Sequence, residues 1–208
     1  MFPWKREGVI VAVAATKGGV GKTTLAVGLA EALAARGDGT VVLVDLDRQA
    51  EGGAADWADL ADDPGPPLAA QVATGTTSDL AGLARLDAAH IVLDTPPADP
   101  DVTRAAIAAA GLCVVAAGAR AADLRRVAGV AAAASDTPVV VALTMTRPGF
   151  AATAEARDAL TAAGMTVAAA TIPLRERIAR SFGRNLTPAA LAPFAALADE
   201  LVPPTKEK

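Results

Sequence analysis

The string Thr16-Lys17-Gly18-Gly19-Val20-Gly21-Lys22-Thr23-Thr24 follows directly on the apolar run Val9–Ala15. Glycines there let the backbone turn tightly and aim successive N–H groups inward, and a helix starting near Lys22 adds its positive end. Such a loop cradles a polyphosphate. Lys22 is placed to reach the β- and γ-phosphates, and the Thr23 hydroxyl to ligate Mg2+. The bland alternative is an ordinary glycine turn between strand and helix, and Gly-Lys-Thr-Thr at the helix start speaks against it. Two further apolar runs end in acids. Residues 41–44 lead into Asp45-Leu46-Asp47-Arg48-Gln49, and residues 91–93 into Asp94-Thr95-Pro96-Pro97. Two positions apart, Asp45 and Asp47 share one side if the strand continues. An acid ending an apolar strand beside a phosphate loop suits a carboxylate that holds Mg2+ through water, which is the role expected of Asp94. Taken alone, the first pair also fits a helix N-cap beside a surface acid, and an Asp at a strand end is commonly a turn residue.

To bring these groups together the chain must deliver several strand ends to one edge. Runs at 9–15, 40–45, 90–94, 112–117 and 139–144 are rich in Val, Ile or Leu without polar alternation, as parallel strands covered on both faces are. Weaker strand signals lie at 68–72 and 167–172. Ala- and Leu-rich stretches at 22–36, 54–61, 103–110, 121–134, 152–163 and 188–201 predict helices. Gly37 and Gly164 stand where C-cap glycines belong. The alternation predicts an α/β fold, a doubly wound and mostly parallel sheet flanked by helices. It forms a single domain over 1–208, with flexible ends at 1–8 and 203–208. Open sheets of this kind bind ligands at the carboxyl edge, where Lys22, Asp47 and Asp94 would meet.

The composition narrows the function classes. Of the 208 residues, 52% are hydrophobic, enough for a sizeable core, and the net charge of −4 leaves no whole-chain basic field, so any nucleic-acid contact must be a local patch. The single cysteine, Cys113, reads as a buried strand residue, which excludes a disulfide framework and fits a reducing cytoplasm. One cysteine per chain is a poor holder for a cluster bridging two subunits. No run reaches about 18 strongly apolar residues, so no membrane span is expected. The start, MFPWKREG, lacks the apolar stretch of a signal peptide. His90, the lone histidine, opens a strand and reads as structural.

The phosphate loop departs from the ordinary pattern in one way. Five positions before Gly21 stands Thr16 rather than glycine, and Lys17 follows it. K-G-G-V-G-K-T-T resembles the deviant Walker A motif of the ParA/MinD family. The resemblance implies that Lys17 reaches across a dimer interface to the partner's nucleotide phosphates. Gly18, Gly19, Val20, Gly21, Lys22, Thr23 and Thr24 would then hold ATP, with Thr23 on Mg2+. Asp45-Leu46-Asp47-Arg48-Gln49 resembles the family's D-x-D-P-Q switch, with Arg48 in place of proline. By that likeness Asp47 orients or activates the attacking water and Asp45 supports the metal shell. Asp94-Thr95-Pro96-Pro97 resembles the family's Walker B. Thr144-Met145-Thr146-Arg147 is similar to the segment flanking the adenine, where Arg147 would border the base, although a surface arginine fits the position equally. Residues 119–124 fall where the family has a proline-containing loop at the dimer interface, but the proline is missing. Residues 171–175 resemble a loop beside the nucleotide. The likeness runs from about Val9 to Leu201 and is nearest to the short ParA-type partition ATPases, which implies the P-loop NTPase fold and a slow, partner-stimulated ATPase.

Arg175, Arg177, Arg180 and Arg184 cluster with only Glu176 opposing them. At helical spacing Arg177, Arg180 and Arg184 form one stripe. Arg120, Arg125 and Arg126 form a second group. Arginine stripes grip phosphates without reading sequence, though a solvated helix face is an equally ordinary reading. The family likeness favours nonspecific DNA. The leading expectation is a cytoplasmic, nucleoid-associated ATPase that needs ATP and Mg2+, pairs as a homodimer when ATP-bound and segregates plasmid or chromosome. Its expected partners are a ParB-like stimulator and DNA, not a membrane. The alternatives are a ParA-like ATPase positioning a protein cargo or cellular machine, and an amidoligase-type synthetase.

Overall fold

The computed structural model describes residues 8–15, 17–47, 51–62, 65–97, 99–134 and 136–204. Thr16, Arg48, Gln49 and most of the two ends expected to be flexible lie outside them. The strands are β1 (Val9–Ala15), β2 (Val41–Asp45), β3 (Gln71–Thr74), β4 (His90–Asp94), β5 (Leu112–Gly118), β6 (Val139–Thr146) and β7 (Ile172–Pro173). They form one sheet in the order β3-β2-β4-β1-β5-β6-β7, with every pairing parallel. The helices are α1 (Lys22–Ala34), α2 (Ala54–Asp62), α3 (Pro100–Ala109), α4 (Ala121–Ala133), α5 (Ala151–Ala162), α6 (Glu176–Ala179) and α7 (Pro188–Leu201), and a 3-10 turn spans Leu80–Arg85.

Burial on both faces explains why the strands read as unbroken apolar runs. Along β1, Val11 and Val13 join the core beneath α1, α2 and α7, while Ala12 and Ala14 join the core beneath α3, α4 and α5. Cys113 is fully buried in the second core, and burial pushes its thiol up to about 12. His90 sits at the amino end of β4, opposite the strand ends that carry the acids, and its Nδ1 is buried without a hydrogen-bond partner.

The expected alternation is present, with shifts that have local causes. Helix α3 begins at Pro100 rather than at residue 103, because Asp99 caps it through Asp101 N and Val102 N and proline suits the first helical turn. The weak strand signal at 68–72 becomes β3, displaced to Gln71–Thr74, while Leu68 and Ala70 turn into the core. That at 167–172 splits into an isolated bridge, Val141 to Val167, and the two-residue β7. Gly37 and Gly164 both take the left-handed backbone expected of them, with φ of 74° and 78°.

Gly28 shows how tightly α1 is clamped. A Cβ there would lie 2.3 Å from Cδ1 of the fully buried Phe194 of α7. Gly28→Ala gains about 1 kcal/mol of helix propensity, but overpacking a site with no room costs roughly 1–3 kcal/mol. A helix wedged between sheet and α7 cannot step aside, so the packing cost dominates. The expected outcome is a melting temperature several degrees below wild type, read by circular dichroism. An unchanged or higher value would show that α7 yields instead.

Candidate functional site

β1, β4 and β2 are adjacent, so their carboxyl ends define one edge. Val13 of β1 registers with Asp94 of β4, and Asp94 with Asp45 of β2. The phosphate-loop string leaves β1 here and enters α1. Gly19 and Gly21 hold φ of 76° and 80°, a backbone that only glycine adopts freely, and open space lies where Cβ atoms at Gly18 and Gly19 would stand. Gly21 begins α1 without a side-chain cap, leaving the positive helix end facing the edge. The Thr144 hydroxyl donates to the Val20 carbonyl at 2.7 Å and pins the loop to the end of β6. Thr95 does the same for β1, donating to Val13 O at 2.9 Å.

Lys22 lies beneath this loop. Its Nζ is 2.5 Å from Asp94 Oδ1 and 3.4 Å from Thr23 Oγ1. Lys22 is 7% exposed and Asp94 not at all. Burial pushes the Asp94 carboxyl up; the Lys22 charge and hydrogen bonds from Lys22 and Thr23 pull it down, and Asp45 pushes it up again. Asp94 Oδ2 is buried with no partner. A buried, unpaired carboxylate oxygen beside a threonine hydroxyl and an ammonium group fits a Mg2+–phosphate group, because Mg2+ takes one or two protein oxygens and leaves the rest to phosphate and water.

Asp45 and Asp47 do not continue as one strand. β2 stops at Asp45, Leu46 turns into the core, and Asp47 is half-exposed. Asp45 is 2% exposed and uses both oxygens on backbone, accepting from Asp47 N and from Ala55 N at 2.9 Å each. It therefore braces the segment carrying Asp47 against the first turn of α2.

Lys17 points elsewhere. Its Nζ is 2.8 Å from Oδ1 of Asp123, which is buried in the first turn of α4. Gly118 makes room for that carboxylate, since a Cβ there would sit 2.8 Å from Asp123 Oδ2. The pair was not foreseen; an acid in the first turn of a helix passes for an ordinary favourable charge at a helix start. Beyond Lys17 opens a cleft of about 420 Å3, lined by Gly19, Val20, Arg120, Met145, Arg147, Phe150 and Leu174 among others. The β6–β7 register shifts at Thr144/Thr146, leaving Met145 with φ of 52° and its side chain turned outward. The Arg147 guanidinium lies 5.9 Å from the Phe150 ring centroid. Met145, Phe150 and Leu174, all exposed, make an apolar rim of a size to take a base. Met145 and Leu174 belong to the two segments, 144–147 and 171–175, whose likeness placed them beside the nucleotide, with Arg147 the expected base contact; Phe150 lies outside both, because an exposed Phe after a strand carries no pattern of its own.

The arginine stripe is corrected. Arg175, Arg177, Arg180 and Arg184 are all exposed and close in sequence, but α6 ends at Ala179. Ser181 donates its hydroxyl to Arg177 O, and Gly183 takes φ of 68° and turns the chain. Arg180 pairs with Glu176 at 2.5 Å. The four arginines therefore sit on a short helix and a turn, not along one helical face. Among the described residues, no helix is long and apolar enough to cross a membrane.

Comparison with known proteins follows this geometry. A family model described as the CobQ/CobB/MinD/ParA nucleotide binding domain matches residues 11–189. No curated protein sequence matches. Among solved structures, the chain is similar to the MinC:MinD cell division protein complex of Aquifex aeolicus, with a TM-score of 0.73 at 15% identity, covering 96% of this chain and 98% of that one. It is similar to a plasmid partition protein of Borrelia burgdorferi B31 bound to AMPPNP, with a TM-score of 0.69 at 16% identity over 94% and 99% of the two chains. Apo McdA of Cyanthece gives 0.68 at 17% identity over 94% and 100%.

Proposed function

We propose, from the premise that this chain belongs to the CobQ/CobB/MinD/ParA nucleotide-binding family, that it is a partition-type ATPase. It binds ATP with Mg2+, pairs with a second copy through Lys17, hydrolyses the γ-phosphate, and in its ATP state holds DNA nonspecifically to segregate plasmid or chromosome. The observation that supports this most is the convergence of Lys22, Thr23 and the unpartnered Asp94 Oδ2 beneath a glycine loop at one sheet edge.

The backbone N–H groups of Gly18, Gly19, Val20, Gly21, Lys22, Thr23 and Thr24 wrap the phosphates. Lys22 shares its charge between Asp94 and the β- and γ-oxygens. Thr23 and Asp94 would hold the metal, and Asp45, whose two oxygens accept from the Asp47 and Ala55 amides, would support that shell through the segment it braces rather than as a direct ligand. When bound, Mg2+ neutralises charge developing on the phosphate oxygens. Asp47 orients the attacking water, on a segment that Asp45 holds in place. Arg147, with Met145, Phe150 and Leu174, borders the base. Little bond-making chemistry falls to the protein, so rate comes from positioning and fixed charge. A ParB-like partner would stimulate the slow turnover, in the cytoplasm and on the nucleoid.

Arg175, Arg177, Arg180 and Arg184 supply the DNA contact. If each neutralises one phosphate, raising salt from 50 to 200 mM weakens binding about 100-fold. DNA affinity measured with ATP, with ADP and without nucleotide at those two salt concentrations tests the reading. Tight, salt-sensitive binding only with ATP is expected, and no binding in any state overturns it. A second reading, the same ATPase core moving a protein cargo, is favoured by the net charge of −4 and by Glu176 already occupying Arg180. A partner captured by the ATP-bound protein in DNA-free solution would support it.

A further inference from the structure

Trp57 is one of the largest fully buried side chains, and the mechanism above does not use it. It lies one turn into α2, on the face that also buries Ala54 and Ala61. Its indole Nε1 donates to the Arg184 carbonyl at 2.9 Å, and its ring packs on Phe182 with centroids 5.4 Å apart. Contacts continue along the helix. A Cβ on Gly52, just before α2, would come within 4.0 Å of the Phe182 ring, and one on Gly183 would come within 2.9 Å of Leu60 Cβ. Asn185 Nδ2 donates to the Pro66 carbonyl at 2.6 Å, past the far end of α2. The turn that carries Arg180 and Arg184 is thus laid along the whole length of α2.

The other end of α2 is tied to the nucleotide edge. Asp45 Oδ2 accepts from Ala55 N in the first turn, and Asp56 caps that turn by accepting from Gly52 N at 2.7 Å. Asp45 registers beside Asp94, and its other oxygen holds the Asp47 amide. A helix of this length is a rigid rod of about 13 Å. Whatever displaces the Asp45–Asp47 corner displaces the start of α2, and a rod so short moves as one piece.

We infer that Trp57 is a positioning residue that couples the Asp45–Asp47 corner to the arginine turn, so that nucleotide at the phosphate loop resets the placement of Arg177, Arg180 and Arg184. This rests on the DNA-binding reading for its biological use but not for its physical content. The coupling is made of discrete contacts between rigid pieces: the Asp45–Ala55 bond at one end, and the Trp57–Arg184 bond, the Phe182 stack and the Gly183–Leu60 approach at the other. Helix α2 touches both the Asp45–Asp47 corner and the arginine turn.

Two variants cut the link from opposite sides. Trp57→Phe keeps an aromatic ring against Phe182 and deletes the Nε1 donor. Gly183→Ala puts a Cβ against Leu60 and strains a left-handed backbone position. Amide hydrogen exchange is measured on the full chain without nucleotide and with a non-hydrolysable ATP analogue plus Mg2+. In wild type, nucleotide should change exchange at residues 17–24 and also at 176–187. In both variants the response at 17–24 should remain, with analogue affinity within about twofold of wild type, while that at 176–187 falls at least fivefold. DNA affinity should keep its nucleotide-free value in the variants and lose its rise with nucleotide. A wild type whose residues 176–187 ignore nucleotide, or folded variants that keep the full response there, overturn the coupling. If wild type shows the Trp57-dependent exchange response yet binds no DNA in any state, the DNA reading falls and the coupling stands.

Discussion

Lys22→Ala is expected to cut ATP hydrolysis by about 100-fold or more, as removal of a fixed charge aimed at the developing oxyanion does. It should also destabilise the protein before any nucleotide is added, because Lys22 and Asp94 are both buried and pair at 2.5 Å. Deleting one member of a buried pair costs roughly 3–5 kcal/mol when the other stays charged. Burial already pushes the Asp94 carboxyl up, and Lys22 is the first opposing pull, so without the lysine this group takes a proton more readily. A folded carboxyl raised above its unfolded value favours the folded state below the unfolded value and loses that advantage as pH rises. The stability deficit of Lys22→Ala should therefore be largest near pH 8 and shrink toward pH 5. Adding Asp94→Asn, which removes the stranded charge and keeps the shape, should restore much of the melting temperature and none of the hydrolysis. Thermal melts across pH and a phosphate-release assay check this. Near-normal turnover in Lys22→Ala, or a double variant no more stable than the single one, would contradict it.

The second large effect concerns Lys17. Lys17→Ala should bind nucleotide as a monomer, fail to dimerise with ATP and Mg2+, and lose most hydrolysis, read by light scattering and phosphate release. The structure adds that Lys17 is not free to cross to a partner, since Asp123 of its own chain holds it at 2.8 Å. Reaching a second copy means leaving that carboxylate. The lysine is 35% exposed, so solvent screens the pair and its worth is about 1 kcal/mol or less. Asp123→Asn should accordingly tighten ATP-dependent dimerisation by a few-fold, up to about fivefold. The opposite result, a dimer weakened by Asp123→Asn, would show that Asp123 serves the dimer rather than holding the lysine back.

What was legible in the chain alone came from residues close in sequence. Valine- and isoleucine-rich runs broken by alanine-rich helices specify a parallel sheet covered on both faces, because strand and helix periodicities are local properties. The phosphate loop is equally local: glycines at the two positive-φ positions, then Lys22 and Thr23 at a helix start. Even Asp94 could be assigned to the same edge, since a parallel sheet places every strand's carboxyl end on one side. The tertiary structure decided what depends on distant residues meeting. Arg177, Arg180 and Arg184 have helical spacing, yet the helix stops at Ala179 as Gly183 packs against Leu60 of α2, a contact no local period encodes. Asp45 and Asp47 have strand spacing, yet the N–H of Ala55 draws Asp45 into bracing α2. The partnerships of Lys17 with Asp123 and of Trp57 with Arg184 join segments whose approach is set by how the flanking helices pack on the sheet. Hydrophobic patterning says which face of each helix is buried, but not which side chains its ends will touch.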